Sequence, residues 1–283
     1  MTTHKLPGTD AARHGTGDAD LTIMLAAHDA FRRDLARLAR AAASADLSDP
    51  ARRRSVAAGW ELFKRELHIH HTAEDELIWP ALRPRLVHSE HALSVLDAME
   101  EEHERIDPLL AAVDAAFTQR DAALTPAASA PAASAPAASA PAASAPAGGG
   151  PGDDWPGADR LADVIDVLAS TLTGHLGHEE RDGLPLIGMA LTAAEWRGVG
   201  RKIARKGGLA SGAEMFAWIL DGADRQHASA TLGQLPPPVR LIYRTVWKPR
   251  FQKTPVGKKS GHPNRHDVTA VRLSAHQCHI ASA

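Results

Sequence analysis

The sequence predicts an all-α protein: an up-down-up-down four-helix bundle with extra short C-terminal helices and a disordered linker and tails. Three observations predict it. Four segments carry an apolar stripe at about 3.5-residue spacing, the pattern of helices packed side by side. Each stripe holds a histidine where a bundle wants leucine. Between the third and fourth segments the chain turns to a proline-punctuated repeat that builds no element of its own.

The first helix is expected over about Leu21 to Ala43, with the stripe Met24, His28, Phe31, Leu35 and Leu38. The second starts after Ser48-Asp49-Pro50, a capping acid followed by a proline suited to the first helical position. Its stripe is Val56, Trp60, Phe63, Leu67, His70, Glu74 and Leu77. The third, about Ala92 to Arg120, shows Leu96, Met99, His103, Ile106, Leu110, Val113 and Phe117. The fourth, about Asp159 to Leu176 and onward, shows Leu161, Ile165, Leu168, Leu172, His175 and Glu179.

Between them, PAASA repeats place prolines at 126, 131, 136, 141 and 146. Proline every fifth residue breaks a helix, and Ala/Ser surface cannot offset ordering entropy. Residues 125–157 are therefore expected as a long loop inside one domain, with a domain boundary as the alternative. Thr192-Ala-Ala-Glu195 is a capping box that opens a further helix at Trp196. Shorter helical pieces are expected near Glu214 to Leu220 and, after Pro236-Pro-Pro238, near Val239 to Trp247. The layout is a disordered N-terminus (1–20), a bundle (21–191), a helical extension (192–252) and a disordered tail (253–283).

Of the 283 residues 44% are hydrophobic but only 4% aromatic, so aliphatic side chains must fill the core. A net charge of -2 gives no global field to recruit nucleic acid. The single cysteine, Cys278, rules out an internal disulfide framework and fits a reducing cytosol. The N-terminus has no signal-like apolar stretch, and no run of about 18 apolar residues could span a bilayer. The expectation is a soluble cytoplasmic protein. Among its 16 histidines, nine fall in the helical regions or their joints.

The second and fourth helices repeat one pattern: His, three residues, Glu, an acid, four residues, Pro. It occurs as His70-x3-Glu74-Asp75-x4-Pro80 and as His175-x3-Glu179-Glu180-x4-Pro185. Side chains at i and i+4 stand on one helix face, so each pair can ligate one ion, and duplication implies two pairs facing across a core. His28 and His103 complete the ring, and Asp107, one turn after His103, is a further candidate. Four imidazoles, two glutamates and an aspartate are too many for one tetrahedral zinc. They suit two first-row ions sharing carboxylates, iron first, manganese or zinc second. Without metal the core would bury unpaired acids at several kcal/mol each. His71 is read as a surface residue in preference to an extra ligand. His178, Asp75 and Glu180 are read as supporting or solvent-facing groups. His68, His88 and His91 are ordinary, and Trp79 and Leu184 plug the core at the helix ends.

These residues resemble the hemerythrin HHE cation-binding family over about Leu21 to Leu191. The specific parts are His70-His71-Thr-Ala-Glu74-Asp-Glu-Leu-Ile-Trp-Pro80, Glu102-His103 and His175-Leu-Gly-His178-Glu179-Glu180. The resemblance implies an up-down-up-down bundle, a non-heme di-iron site, and handling of O2, NO or peroxide or sensing of iron. It implies His28, His70, Glu74, His103, His175 and Glu179 as ligands. The chain departs from the oxygen carriers of that family at Asp107, where they place a second histidine.

Three readings follow. The first is a di-iron protein that binds or senses O2, NO or peroxide, or buffers iron. The second is an enzyme whose open metal position acts on O2 or peroxide, although the sequence supplies no substrate pocket or dedicated acid/base pair. The third is an interaction protein using Val239-Arg-Leu-Ile-Tyr-Arg-Thr-Val-Trp-Lys-Pro-Arg250 on an anionic membrane or a protein partner. Against the third, packing of Leu241, Ile242 and Trp247 on the bundle is the favoured expectation. No phosphate loop or dinucleotide fingerprint is present.

Overall fold

A computed structural model describes residues 19–43, 49–124 and 157–256. The expectations for 1–18, for the repeats at 125–156 and for 257–283, with Cys278, lie outside the described residues. The structure is all-helical, with no strand among the described residues.

Helix α1 spans Thr22–Ala42. Its first turn is tied by the Asp20 carboxylate, which accepts from the Thr22 N–H at 2.9 Å. Helix α2, Pro50–Ala73, opens as the sequence dictates: Asp49 accepts from the Ala51 N–H and Pro50 sits where no donor is needed. It runs on through a wider π turn, Glu74–Ile78, into α3, Trp79–Leu82. Helix α4 is Glu90–Leu124 and tolerates Pro108 on its exposed side. Helix α5, Gly157–His178, passes through a second π turn, Glu179–Gly183, into α6, Leu184–Ala190.

The two π turns have one feature in common. Pro80 and Pro185 cannot donate to the carbonyl four residues back, and their rings crowd it. The helix widens, and the preceding N–H reaches back five residues: Trp79 to the Glu74 carbonyl, Leu184 to that of Glu179. A third case, Tyr243–Trp247 ahead of Pro249, follows the same rule far from any histidine. The widening therefore needs no metal, and since α4 stays regular at Pro108 a proline permits it without compelling it. Its consequence is a slip of one residue in the stripe: Ile78 is buried where the regular spacing expected Leu77, which is half-buried.

Helices α1 and α4 each pack on both α2 and α5, closing a ring of four. Two apolar clusters fill it. One contains Phe31, Leu35, Trp60, Phe63, Ile106 and Leu172. The other contains Leu21, Ile78, Trp79, Leu96, Met99 and Leu184. Along every helix the change from one cluster to the other falls at a clustered His or Glu: after Leu21 and before Phe31 at α1, after Leu67 and before Ile78 at α2, between Met99 and Ile106 in α4, and between Leu176 and Leu184, at Glu179, beyond α5. The polar residues occupy one level between two greasy layers.

The C-terminal helices lie against this ring. Helix α7, Ala193–Ile219, starts with the expected capping box at Thr192 and Glu195, and bends at Gly208, whose φ of 73° suits glycine. The non-helical backbone at Gly208 divides it into two helical stretches, as the sequence suggests, and the second begins earlier than Glu214. Trp196 donates to the Asp20 carbonyl at 2.8 Å, and Trp218 packs on Phe31 and donates to Asp34 at 2.7 Å. Helices α8, Arg225–Gly233, α9, Pro237–Ile242, and α10, Lys248–Phe251, follow. Tyr243 and Phe251 are buried in the same cluster as Phe31.

Candidate metal centre

Two groups of side chains meet at the polar level. His28, His70, Glu74 and Glu179 each bring one donor atom within 4.8 Å of the others. His71, His103 and His175 do the same beside them. Helical spacing places them. In α2 the core-facing Leu67 is followed by His70 and His71 at i+3 and i+4, and Glu74 lies one turn beyond both. In α5 His175 is followed at i+4 by Glu179, the first residue of the π turn.

Burial is nearly complete: His28, Glu74 and Glu179 are fully enclosed, and His103 and His175 are 5% and 3% exposed. Within the second group the rings of His71 and His103 stack with centroids 3.9 Å apart. His175 stands edge-on to His103 at 4.8 Å. The Nε2 atoms of His28 and His70 approach to 3.2 Å. Glu74 lies between the groups: one oxygen is 3.2 Å from His70 Nε2, the other 3.5 Å from His103 Nε2. Glu179 lies 3.2 Å from His28 Nε2.

Behind the rings stand other carboxylates. His28 Nδ1 is 2.9 Å from Glu180, which Arg32 also holds at 2.6 Å. His103 Nδ1 is 2.9 Å from Asp75, and His175 Nδ1 is 2.8 Å from Glu102. An ionised carboxylate only accepts, so each Nδ1 carries the proton and each Nε2 turns its lone pair inward. That is the arrangement of a metal-ligating histidine with its outer partner.

The inner atoms lack partners within the protein. His71, His103 and His175 Nε2 and both oxygens of Glu74 and of Glu179 are buried without a hydrogen bond. Each such atom costs about 1–3 kcal/mol, and native cores rarely keep them. A cation between them removes the cost, so the residues fit a metal. Titration of the metal-free cluster shows the same conflict. Burial and the facing Glu179 push the Glu74 carboxyl well above the usual range. Burial opposes a charge on His28, but the carboxylates of Glu179 and Glu180 outweigh it and raise that imidazole to about 9. Burial and neighbouring imidazoles depress His70 and His71.

Of the residues singled out in the sequence, His28, His70, Glu74, His103, His175 and Glu179 are thus brought together. Asp107 is not. It is exposed and belongs to neither group, because the inward stripe of α4 steps from His103 to Ile106, which is fully buried, and turns Asp107 to solvent. His71 is not a surface residue: it is 8% exposed and faces His103. Its signal was present in the i+4 step from Leu67. Glu102, which holds both His175 and His178 at 2.8 Å, also went without a role. His68, His88 and His91 are exposed.

A cavity of about 370 Å³ opens between α1 and α2, lined by Arg37, Arg40, Trp60 and Phe63 among others, and includes none of the clustered histidines. No described helix is long and apolar enough to cross a membrane.

No curated protein and no solved structure matches the chain at a significant level. A family model does: that of the hemerythrin HHE cation binding domain matches residues 19–187, a span that covers the whole His/Glu level and what the four ring helices contribute to the apolar layers around it. The chain accordingly belongs to the hemerythrin HHE cation-binding family, and its His/Glu cluster is placed to hold metal cations.

Proposed function

We propose that the chain is a non-heme di-iron protein that binds or senses O2, NO or peroxide, or buffers iron. The observation that carries this reading is the division of one buried level into two ion-sized groups with Glu74 between them. His71, His103 and His175 would hold one ion and His28, His70 and Glu179 the other, with Glu74 within reach of both groups. Five imidazoles and two carboxylates form a mixed nitrogen/oxygen set suited to first-row ions of intermediate hardness, iron before manganese or zinc. Bound iron would supply a redox-active Lewis acid with an open position for a small ligand. The chain's own part is to fix the Nε2 lone pairs through Glu180, Asp75 and Glu102, and to exclude bulk water with the apolar layers above and below. The order of those layers reverses from each helix of the ring to the next, which supports an up-down-up-down bundle.

The test is an optical spectrum of the protein purified from iron-replete medium. The oxidised form is expected to show near-ultraviolet charge-transfer bands, and the spectrum of the reduced form is expected to change on exposure to O2, peroxide or NO. A metal-loaded protein whose spectrum responds to none of the three would leave iron buffering as the function. A protein colourless after reconstitution with iron would overturn the reading.

A further inference from the structure

The segment after α8 has no place in the metal chemistry, and its outer surface is unlike the rest of the molecule. Between Asp224 and Asp267 the sequence holds nine Lys or Arg residues and no Asp or Glu, in a chain whose net charge is -2. Positive charge is therefore concentrated here against a neutral background. Within the segment Tyr243, Trp247 and Phe251, at successive i+4 steps, pack toward the core. The opposite side is apolar and solvent-facing: Leu241, Ile242 and Val246 are 62%, 41% and 51% exposed. The favoured expectation that Leu241 and Ile242 pack on the bundle is thus not met, whereas Trp247 does pack there.

The cations around those side chains are available. Arg240 is spent on the Leu235 and Gly233 carbonyls at the end of α8. Arg244, Lys248, Arg250 and Lys253 are exposed, and none meets a carboxylate among the described residues. Exposed aliphatic side chains set among unpaired cations, on a short helix clamped from behind by buried aromatics, are the features of a helix that lies in a bilayer interface. The apolar groups enter the headgroup boundary and the cations meet anionic lipid.

We propose that the outward face of residues 239–253 docks on anionic phospholipid headgroups at a bilayer surface. The rigid packing of Tyr243 and Phe251 means that the face is preformed and that binding requires no unfolding of the bundle. Attachment is peripheral, reversible and salt-sensitive, since it rests on screened charge and three aliphatic side chains.

The experiment is co-sedimentation of the full-length protein with phosphatidylcholine vesicles, with and without phosphatidylglycerol, at low and high salt. Capture is expected only by the anionic vesicles, with loss at high salt. R244E/K248E is expected to weaken partitioning by about tenfold or more, and L241S/V246S several-fold. All four side chains are exposed, so circular dichroism should report an unchanged fold. R201E/K202E on exposed positions of α7 makes the same change in net charge and is expected to leave capture intact. Failure of anionic vesicles to capture the protein at low salt, or capture indifferent to both patch variants, would overturn the proposal. So would binding to polyglutamate without binding to vesicles, which would assign the face to an acidic protein. Self-association abolished by L241S/V246S in the absence of vesicle capture would assign it to a second copy instead.

Discussion

Each imidazole at the centre has two nitrogens, and the carboxylates behind the rings decide which one looks inward. Glu102 serves two rings at once, His175 and His178, at 2.8 Å each. Glu102→Gln keeps the shape but can accept through only one of its two atoms, and is expected to lower metal affinity by about 10–100-fold, read by competition with a coloured chelator. Replacement of His71 by Ala should remove metal, whereas Asp107→Ala should leave metal content unchanged; equal loss in the two variants would contradict the assignment of the inner level. A further buried acid, Glu66, lies one turn before His70. Burial raises Glu66 to about 7, with Arg65 opposing and Glu214 adding to the shift. Between the ordinary value of 4.5 and about 7 the folded chain holds the proton that the unfolded chain releases. Stability therefore falls as pH rises through that window, and the full cost is in place above it. Glu66→Gln is expected to flatten this slope and to gain up to ~3 kcal/mol at alkaline pH, measured by urea unfolding at fixed metal loading. At this scale the sequence was informative wherever a residue type recurred in register: the two His-x3-Glu pairs stood out. It did not show that His71 joins its neighbour His70 at the inner level. Both flank the inward stripe after Leu67, and only packing tells which partner helix each one meets.

Prolines and caps set the elements. Asp49, Pro50 and the Thr192/Glu195 box mark helix starts with local chemistry, and they stand where the sequence puts them. The π turns were not legible, because the stripe was projected at regular spacing past Glu74. Pro80 and Pro185 withhold a donor at the turn that widens, but Pro108 does the same in α4 without widening it, so a proline alone does not mark a π turn. Helix α8 carries too weak an apolar pattern to be seen, whereas the two stretches of α7 are legible and the break between them falls at Gly208. What holds α7 to α1 is mostly Trp218, 1% exposed, packed at a tilt on Phe31 and bonded to Asp34. Truncation to Ala is expected to cost about 3–5 kcal/mol and to loosen α7 through α10, visible as accelerated amide exchange in residues 193–251 with slower change in α4 and α5. Uniform exchange throughout would show that the extension and the ring unfold as one unit.

At the scale of the molecule, the ring of α1, α2, α4 and α5 and the extension share one core, since Tyr243 and Phe251 join the cluster of Phe31 and Leu172. The histidine level divides that core in two, so metal is expected to stabilise the whole ring at once by bridging its helices. The PAASA repeats connect α4 to α5, two helices already packed on each other. Replacing 126–152 by a short Gly/Ser linker is expected to leave iron content unchanged, with loop closure shifted by only about 0.6 kcal/mol per halving of length. The count of stripes and the shared level of their histidines were enough to anticipate the ring. The packing of the extension is legible only through Trp247; the anchors Tyr243 and Phe251 are not, because they lie among prolines and cations that resemble a surface segment. The most direct measurement of the central claim is iron stoichiometry by mass spectrometry on full-length protein reconstituted with ferrous iron under exclusion of air. The account predicts about two irons per chain, lost together in the Glu74→Ala variant. A chain that retains no iron, or one that keeps both ions without Glu74, would contradict it.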